Sequence, residues 1–468
     1  MDKILEIDGS RGEGGGQIVR TSVSLAAILC RPIRIYGVRA NRRKPGLQPQ
    51  HLCAVQSLAQ ITGSKLEGAI IGSIEFSFIP QDRVGGCGEL LGRRHDIDIG
   101  TAGSSTLVMQ TLLPSFLTAP LPYEFIKAVE SATIVTTSEQ SDISLTTTIT
   151  ITGGTTNPMA PSAKFIQETF LPQLNAILCA EHSRRILGKD NSSKIPSSIP
   201  PQVLISVHAE IERHGFYPAG GGRLSVHIVH RVVSISPLDS IGCSPFCLVS
   251  RGKLAPECFA TCIVANLPIK IANREAAVLR ASSLSTKTLI HAGAKLSVAA
   301  SVATPCSGPG NAVFISLRFQ NVTEVVTVVS ERGRAAEDVA DESARLAEAF
   351  FQQSSASPVS SHLADQLLLP LALFGGGSFR TDASTLHSDA HFSSNMDVIH
   401  AFLGAGLITI SAAGAADCGE DRCTVEGLHA AGGIESSPYP WGMRIDVTPK
   451  VVREYPSIPT SKFSITSP

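Results

Sequence analysis

The sequence lacks three features that would place it in a specialised class of protein. No apolar run approaches the roughly eighteen residues that are needed to cross a bilayer, and strand-like residues already begin at Ile4. We therefore expect an intracellular protein, in nucleus or cytoplasm, without a signal peptide or membrane segment. The formal net charge of -1 is far from the basic excess that is typical of proteins that coat nucleic acid, although it leaves room for a local anion site. The 11 cysteines, an odd number scattered through 468 residues, favour reduced thiols over a disulfide framework.

The chain is long enough to form two or more domains, and its 43% of hydrophobic residues can fill real cores. Strand-like and helix-like segments alternate, which predicts a mixed α/β (α+β) fold. A pattern of strand, glycine turn and helix occupies residues 8–29 and recurs at 96–117, with a weaker third instance at 362–377. We therefore predict three related units.

The stretch RGEGGGQIVR, residues 11–20, predicts an anion site. Glycines let backbone N–H groups converge, and a helix that starts there adds its unsatisfied N–H groups and the positive end of its dipole. Glu13 fits beside a phosphate only if a divalent metal lies between them. Gln17 and Arg20 lie one turn apart and face the same site. The alternative is a flexible glycine turn before an ordinary helix, and the spacing fits neither a P-loop nor a dinucleotide fingerprint.

A basic segment, VRANRRKPGLQPQHL at residues 38–52, follows the first helix. Its guanidinium groups are planar donors suited to phosphate, although the same run also fits a solvated loop. The residues of interest in this segment are Arg39, Arg42, Arg43, Lys44, Gln50 and His51.

Seven motifs together resemble the RNA 3'-terminal phosphate cyclases in order and character. The match covers most of residues 4–232 and 357–410, and RGEGGGQ and HGFYPAGGG are specific to that family. The motifs are RGEGGGQIVR, VRANRRKPGLQPQH, GTAGSSTLVMQTLLP, GGTTNPMAPSAKFI, RHGFYPAGGG, LADQLLLPLAL and HFSSNMDVIHAFL.

This resemblance implies a nucleotidyl-transferring ligase that converts an RNA 3'-terminal phosphate to a 2',3'-cyclic phosphate with ATP as AMP donor. A histidine attacks the α-phosphorus, AMP passes to the RNA 3'-phosphate, and the 2'-OH displaces AMP. Two histidines lie in the family's H-x-x-T-N-like region, and we choose His391 over His387 because Ser394 and Asn395 follow it in place of Thr-Asn. Roughly three-quarters of an unperturbed imidazole is neutral at pH 7, so histidine suits the role of nucleophile.

The resemblance also assigns the remaining site residues. It implies that Glu13 binds Mg²⁺ or Mn²⁺ and that Asp365 orients the imidazole or holds the metal. Gln110, on an apolar helix, also fits an ordinary core position, and Asp365 with Gln366 also fits a plain helix N-terminus. The implied nucleotide contacts are Gln17, Arg20, Gln110, Asp365, Gln366 and Asn395. The implied contacts to substrate phosphate are Arg20, Arg39, Arg42, Gln50 and His51. Thr156 and Lys164 depart from the family pattern, because many members carry aspartates there.

The fold that the resemblance implies is a large domain of three βαβαββ units, like the C-terminal domain of translation initiation factor three, with a small inserted α/β domain. We expect residues 1–234 and 357–468 to form the large domain, with a partly irregular tail beyond about 412, and residues 235–356 to form the insert. Four insert cysteines, Cys243, Cys247, Cys258 and Cys262, have a spacing that suggests zinc, but apolar neighbours also fit buried thiols.

Two other functional classes stay open. One is a non-catalytic relative that assists ribosome assembly, although such paralogues lack the nucleophile and the glycine-rich turn. The other is an enolpyruvyl-transferase-like enzyme with a similar repeat architecture, which fold alone does not exclude. A covalent AMP adduct is expected only of the cyclase.

Overall fold

The structure is a computed structural model of the chain. It describes residues 4–12, 14–81, 90–133, 143–187, 202–233, 245–353, 355–382, 390–412 and 443–449. Glu13, His387 and Cys243 therefore lie outside the described residues.

The chain begins with a βαβαββ unit that encloses the glycine turn. The second helix has proline at its first position and ends at Gly63, whose φ of 68° provides a left-handed C-cap. The elements of this first unit are β1 (Leu5–Asp8), α1 (Gly16–Leu29), β2 (Ile33–Tyr36), α2 (Pro49–Thr62), β3 (Lys65–Glu67) and β4 (Phe76–Ile79).

A second unit of the same kind follows, with one additional helix. Its first helix is capped by Ser104, whose Oγ accepts a hydrogen bond from the Leu107 N–H at 3.3 Å. Its last helix contains a π-helical turn, Ile166–Phe170, between two α-helical segments. The elements are β5 (Arg94–Asp98), α3 (Ser105–Leu117), α4 (Tyr123–Thr133), β6 (Ser144–Gly153), α5 (Ala163–Phe165, Ile166–Phe170 and Leu171–Leu187), β7 (Gln202–Arg213) and β8 (Gly222–Val233).

A third unit starts with one short strand, β9 (Phe246–Leu248), before the chain leaves it to build a separate sheet. Two long helices, Lys270–Ala281 and Ala336–Gln352, cover this sheet. Its elements are β10 (Glu257–Ala265), α6 (Lys270–Ala281), a π-helical turn (Leu284–Thr288), α7 (Leu289–His291), β11 (Lys295–Val302), β12 (Gly310–Arg318), β13 (Thr323–Val329) and α8 (Ala336–Gln352).

The chain then returns and completes the third unit. The glycine-rich stretch at 362–377 differs from the expected order, because a helix precedes the glycines and the strand follows them. The tail beyond residue 412 contributes one regular strand, in which Ile445 and Val447 are buried. The elements are α9 (Ser361–Leu373), β14 (Gly377–Thr381), α10 (Ala390–Leu403), β15 (Ile408–Ala412) and β16 (Met443–Val447).

The three units share one sheet topology, which confirms the predicted repeats. Their sheets run β1-β2-β4-β3, β5-β6-β8-β7 and β9-β14-β16-β15, so the first, second, fourth and third strands are neighbours in every case. In each sheet the first pair is parallel and the other two are antiparallel. The parallel pair joined by the first helix is the βαβ element that the recurring sequence pattern predicted.

The inserted sheet has the order β11-β10-β12-β13, and its central strand β12 is buried on both faces. Along β12, Ala312 and Phe314 belong to the main core, whereas Val313 and Ile315 belong to a second core beneath α6 and α8. This alternation follows from the two-residue period of a strand. The boundaries at 235 and 356 stay a prediction. Because β9 pairs with β14, it belongs to the third unit's sheet, not to the inserted one.

Cys247 lies in a different sheet from Cys258 and Cys262. Cys258 and Cys262 lie in β10 within the second core, and burial raises the pKa of both thiols, that of Cys262 to about 12. Cys247 lies in β9 of the third unit. Within the described ranges, no group of three or more His, Cys, Asp and Glu residues could hold a metal ion.

The HGFYPAGGG motif forms the connection between β7 and β8, where backbones approach closely. A Cβ on Gly215 would lie 2.2 Å from the Gly222 nitrogen and 2.6 Å from the Gly153 carbonyl oxygen. We therefore expect Gly215→Ala to lower the free energy of unfolding by about 2 kcal/mol or more, since both obstacles are backbone atoms. Gly293→Ala is the control, because its Cβ would meet nothing within 4 Å and only the left-handed backbone costs about 1 kcal/mol. Urea unfolding measures both variants, and equal losses would contradict the packing argument.

Candidate active site

A cleft lies where the first helices of the three units, α1, α3 and α9, meet. It encloses about 570 Å³, including its open mouth, and apolar side chains such as Leu113, Leu369 and Phe374 form much of its wall. Six residues predicted from the sequence line it, although they are widely separated along the chain. The polar side chains of the cleft are Gln17, Arg20, Thr21, Ser24, Gln110, Asp365, Gln366 and Asn395.

The N-terminus of α1 forms an anion cradle beside this cleft. Its N-cap residue is Gly15, which offers no side chain to the first N–H groups of the helix. A Cβ on Gly16 would lie 2.4 Å from His51 Nε2 and 2.8 Å from Arg20 Nη1. Glycine is therefore required at position 16 for these two donors to converge over the helix N-terminus. An anion is the ligand that such a cluster of donors suits.

His51 serves this cradle as a neutral donor. Its Nδ1 accepts a hydrogen bond from the Gln48 N–H at 3.3 Å, so the ring proton lies on Nε2. Burial, together with the positive charges of Arg20 and Arg39, lowers the pKa of His51 to about 3. The imidazole therefore stays uncharged at neutral pH and presents an N–H group beside the Arg20 guanidinium.

The basic segment predicted from the sequence forms a loop that packs on the glycine turn. Asn41 Nδ2 donates a hydrogen bond of 2.8 Å to the Ser10 carbonyl, and the Arg42 N–H donates to the Arg39 carbonyl at 3.0 Å. Arg39 and Arg42 are half-buried. Gln50 joins this region to the second unit, because its Oε1 accepts a 2.9 Å hydrogen bond from the Ser104 N–H at the start of α3.

A chain of buried hydrogen bonds crosses the cleft from the cradle to the third unit. Arg20 Nη2 donates to Gln17 Oε1, and Gln17 Nε2 donates to Thr21 Oγ1 at 3.1 Å. Thr21 Oγ1 then donates to Asn395 Oδ1 at 2.8 Å, and Asn395 Nδ2 donates to the Asp365 carbonyl at 2.8 Å. Sequence reasoning missed Thr21, because a threonine inside an apolar helix carries no distinguishing signal.

Gln110 and Gln366 occupy equivalent positions in α3 and α9. Each stands at the same distance along the helix from its N-cap serine, Ser104 or Ser360, and each helix has a proline at a matching later position. Both side chains line the cleft, and both buried Oε1 atoms accept no hydrogen bond from the described residues. Two unsatisfied acceptors in one cleft favour a ligand that donates hydrogen bonds.

His391 lies at the second residue of α10 and is exposed. Asn395 follows one turn later, so both side chains project from the same face of the helix. His391 is accessible but is not among the residues that line the cleft, whereas Asn395, one turn further along α10, is. His387 and Glu13, the alternative nucleophile and the expected metal ligand, lie outside the described residues.

The two residues that depart from the family pattern are used in packing. Thr156 is buried, and its N–H donates to the Gly215 carbonyl at 3.1 Å. Lys164 pairs with Glu168 at 2.6 Å along α5. Neither residue lines the cleft.

Comparisons with known proteins agree with one another. A family model described as RNA 3'-terminal phosphate cyclase matches residues 11–188 and 197–408. A protein named RNA 3'-terminal phosphate cyclase from Koribacter versatilis is 35% identical over 404 residues, which are 86% of this chain and 90% of the relative. Proteins of the same name from Pseudomonas fluorescens and Ectopseudomonas mendocina are 35% and 34% identical, over 86% and 87% of this chain and 92% and 95% of their own lengths.

These relatives come from bacteria, so they lend no support to the expected nuclear location. Within the part of the chain that the structure describes, no helix is both long and apolar enough to span a membrane.

The lowered pKa of His51 predicts a specific pH dependence of stability. In the unfolded chain the imidazole regains its ordinary pKa of 6.5, whereas the folded value is about 3. Between these two pH values the unfolded state therefore binds more protons than the folded state. The free energy of unfolding is consequently highest above pH 6.5 and falls as the pH is lowered towards 3. We expect His51→Gln to reduce the slope of unfolding free energy against pH by about 1.4 kcal/mol per pH unit within that window. Urea unfolding at pH 7 to 4.5 measures the slope. An identical slope in both proteins would contradict a neutral, buried His51.

Proposed function

Because the chain belongs to the RNA 3'-terminal phosphate cyclase family, we propose that it is an ATP-dependent ligase that converts RNA 3'-terminal phosphates to 2',3'-cyclic phosphates. The observation that carries this proposal is the convergence of three units on one cleft. The anion cradle of the first unit adjoins this cleft, one glutamine each from the second and third units lines it, and Asn395 lines it one turn after the exposed His391 on α10. This arrangement provides the parts that nucleotidyl transfer needs.

In the first step a neutral ring nitrogen of His391 attacks the α-phosphorus of ATP. The attacking nitrogen is the one without a proton: its lone pair forms the nitrogen–phosphorus bond, the bond from the α-phosphorus to the bridging oxygen breaks, and pyrophosphate leaves with those electrons, while the ring proton stays on the other nitrogen until solvent removes it. The cradle formed by Arg20, His51 and the start of α1 binds the triphosphate and stabilises charge on the leaving pyrophosphate. The Oε1 atoms of Gln110 and Gln366 suit the exocyclic amino group of adenine, because both are buried acceptors.

The second and third steps complete the reaction on RNA. An oxygen of the RNA 3'-phosphate attacks the same α-phosphorus and His391 leaves, which transfers AMP to the RNA end. The vicinal 2'-OH then attacks the 3'-phosphorus, and AMP leaves with its bonding electrons. Arg39 and Arg42 on the adjoining loop are suited to hold the RNA phosphate. The last step is effectively intramolecular, and effective concentrations of about 10⁵ M or more can be reached.

Within the described residues, the cleft offers a divalent cation one carboxylate. The Asp365 carboxylate lines the cleft, and carboxylate oxygens are the ligands that Mg²⁺ and Mn²⁺ prefer. Asp365 would hold the ion, and Glu13, which adjoins the cradle in sequence, is the second proposed ligand. When bound, the ion would neutralise charge on the phosphates.

The first test is formation of the covalent adduct. Incubation with ATP labelled at the α-phosphate should leave label on the protein that survives alkali and is lost in acid, as expected of a histidyl phosphoramidate. His391→Asn should abolish the adduct, whereas His387→Asn should retain it. Absence of label on the unaltered protein would favour the ribosome-assembly or enolpyruvyl-transferase readings. Loss of label in His387→Asn alone would assign the nucleophile to His387.

The second test separates AMP transfer from cyclisation. An RNA that ends in a 2'-deoxy-3'-phosphate should accept AMP from the enzyme but stall as the adenylated end, because the attacking hydroxyl is missing. The matched ribose RNA should proceed to the cyclic phosphate and free AMP. Electrophoresis of the labelled RNA distinguishes these species. If the deoxy substrate accepts no AMP, the 2'-OH is needed for binding and the proposed order of steps would be wrong.

A further inference from the structure

We propose that Thr21 is a positioning residue for the first chemical step, because it couples the anion cradle on α1 to the helix that carries His391. This inference rests on the proposed function and adds a residue that neither sequence motifs nor the resemblance assigned. Its role is to fix α10 through Asn395, so that the His391 ring stands in line with the phosphorus that it attacks.

The geometry that carries the proposal is the hydrogen-bond chain through Thr21. Thr21 is 3% exposed, and its Oγ1 uses both functions of a hydroxyl, since it accepts from Gln17 Nε2 and donates to Asn395 Oδ1. Thr21 and Asn395 belong to the first and third units and are 374 positions apart along the chain. This bond therefore joins two units, whereas a bond from a helix threonine to the carbonyl four residues earlier stays within its own helix.

Asn395 is held from two sides by these contacts. Its Oδ1 accepts from Thr21, and its Nδ2 donates to the Asp365 carbonyl on α9. A side-chain amide with both ends bonded to α1 and α9 acts as a clamp for α10. His391 lies one turn away on the same helix face, so a rotation or shift of α10 moves the His391 ring directly.

The same chain extends to the cradle. Arg20 donates to Gln17, which donates to Thr21. Successive hydrogen bonds in a buried environment polarise and orient one another. An anion bound at Arg20 is thereby linked to the orientation of Asn395 and of α10. The position of α10, which carries His391, is consequently fixed by α1, the helix that also binds the triphosphate.

Thr21→Val is the informative variant, because it keeps the shape of the side chain and removes only the hydroxyl. Thr111→Val is its matched control. Thr111 is equally buried on the equivalent helix α3, and its Oγ1 bonds only within that helix, to the Leu107 carbonyl at 3.1 Å. Thr21→Ser, which restores the hydroxyl, is the rescue.

Comparing adenylation with cyclisation separates a misplaced His391 from general damage to the folded structure. We expect Thr21→Val to slow single-turnover adenylation from labelled ATP by roughly 10- to 100-fold at saturating ATP, as expected for a misplaced nucleophile. The same variant should cyclise an RNA whose 3'-phosphate already carries AMP at close to the unaltered rate, because that step does not use His391. Thr111→Val should keep both rates, and Thr21→Ser should recover adenylation. Hydrogen exchange of the α10 amides should accelerate in Thr21→Val only.

Several results would overturn the inference. Equal loss of adenylation and of cyclisation in Thr21→Val would show structural damage. Equal adenylation defects in Thr21→Val and Thr111→Val would show that any buried hydroxyl matters. Unchanged hydrogen exchange of the α10 amides in Thr21→Val would contradict the proposal that Thr21 holds α10 through Asn395. If the unaltered protein forms no adduct, the proposed function fails, while the exchange measurement still decides whether Thr21 holds α10.

Discussion

The structure depends on burying polar side chains where α1, α3 and α9 meet. Gln17, Arg20, Thr21 and Asn395 are each less than a tenth exposed, and a buried polar group without a partner costs roughly 1–3 kcal/mol. The hydrogen-bond chain from Arg20 to the Asp365 carbonyl removes that penalty for most of these groups. It does so only when α1, α9 and α10 take one mutual arrangement. The same hydrogen bonds therefore determine both how the units pack and what shape the cleft has.

This constraint explains how the chain tolerates a large insertion. The inserted sheet leaves the third unit between β9 and α9 and returns before the polar positions of α9 begin. It packs against α5, where Ser316 Oγ bonds to Glu168 at 2.6 Å and Ser162 bonds to Thr327 at 2.9 Å. None of these four residues lines the cleft. The described contacts of the cleft consequently come from the three units themselves.

Six of the residues that the sequence pointed to line one cleft, because several of their features are local. A glycine turn before a helix gives converging N–H groups from neighbouring residues, which favoured an anion cradle over a plain turn, and the recurring βαβ pattern implies repeated units. What sequence reasoning could not find was Thr21, whose importance comes from a partner in another unit. Its prediction that Asn395 contacts the nucleotide stays a prediction, and the structure adds that the Asn395 amide is bonded to Thr21 and to the Asp365 carbonyl. The order of the third unit was wrong for a related reason, since its first strand is separated from its first helix by the insertion.

By itself, the sequence determined the local chemistry of this protein: glycines that open a helix N-terminus, arginines on the following loop, and a histidine at the start of an apolar helix. These properties depend on residues that are close in the chain, because backbone sterics and helix periodicity relate only residues a few positions apart. The tertiary structure alone decided which of these groups face one another. It made His51 a neutral donor by burying it beside two arginines, and it placed two equivalent glutamines in one cleft. Such relations arise from burial and from hydrogen bonds between residues far apart in sequence, for which a linear pattern has no signal.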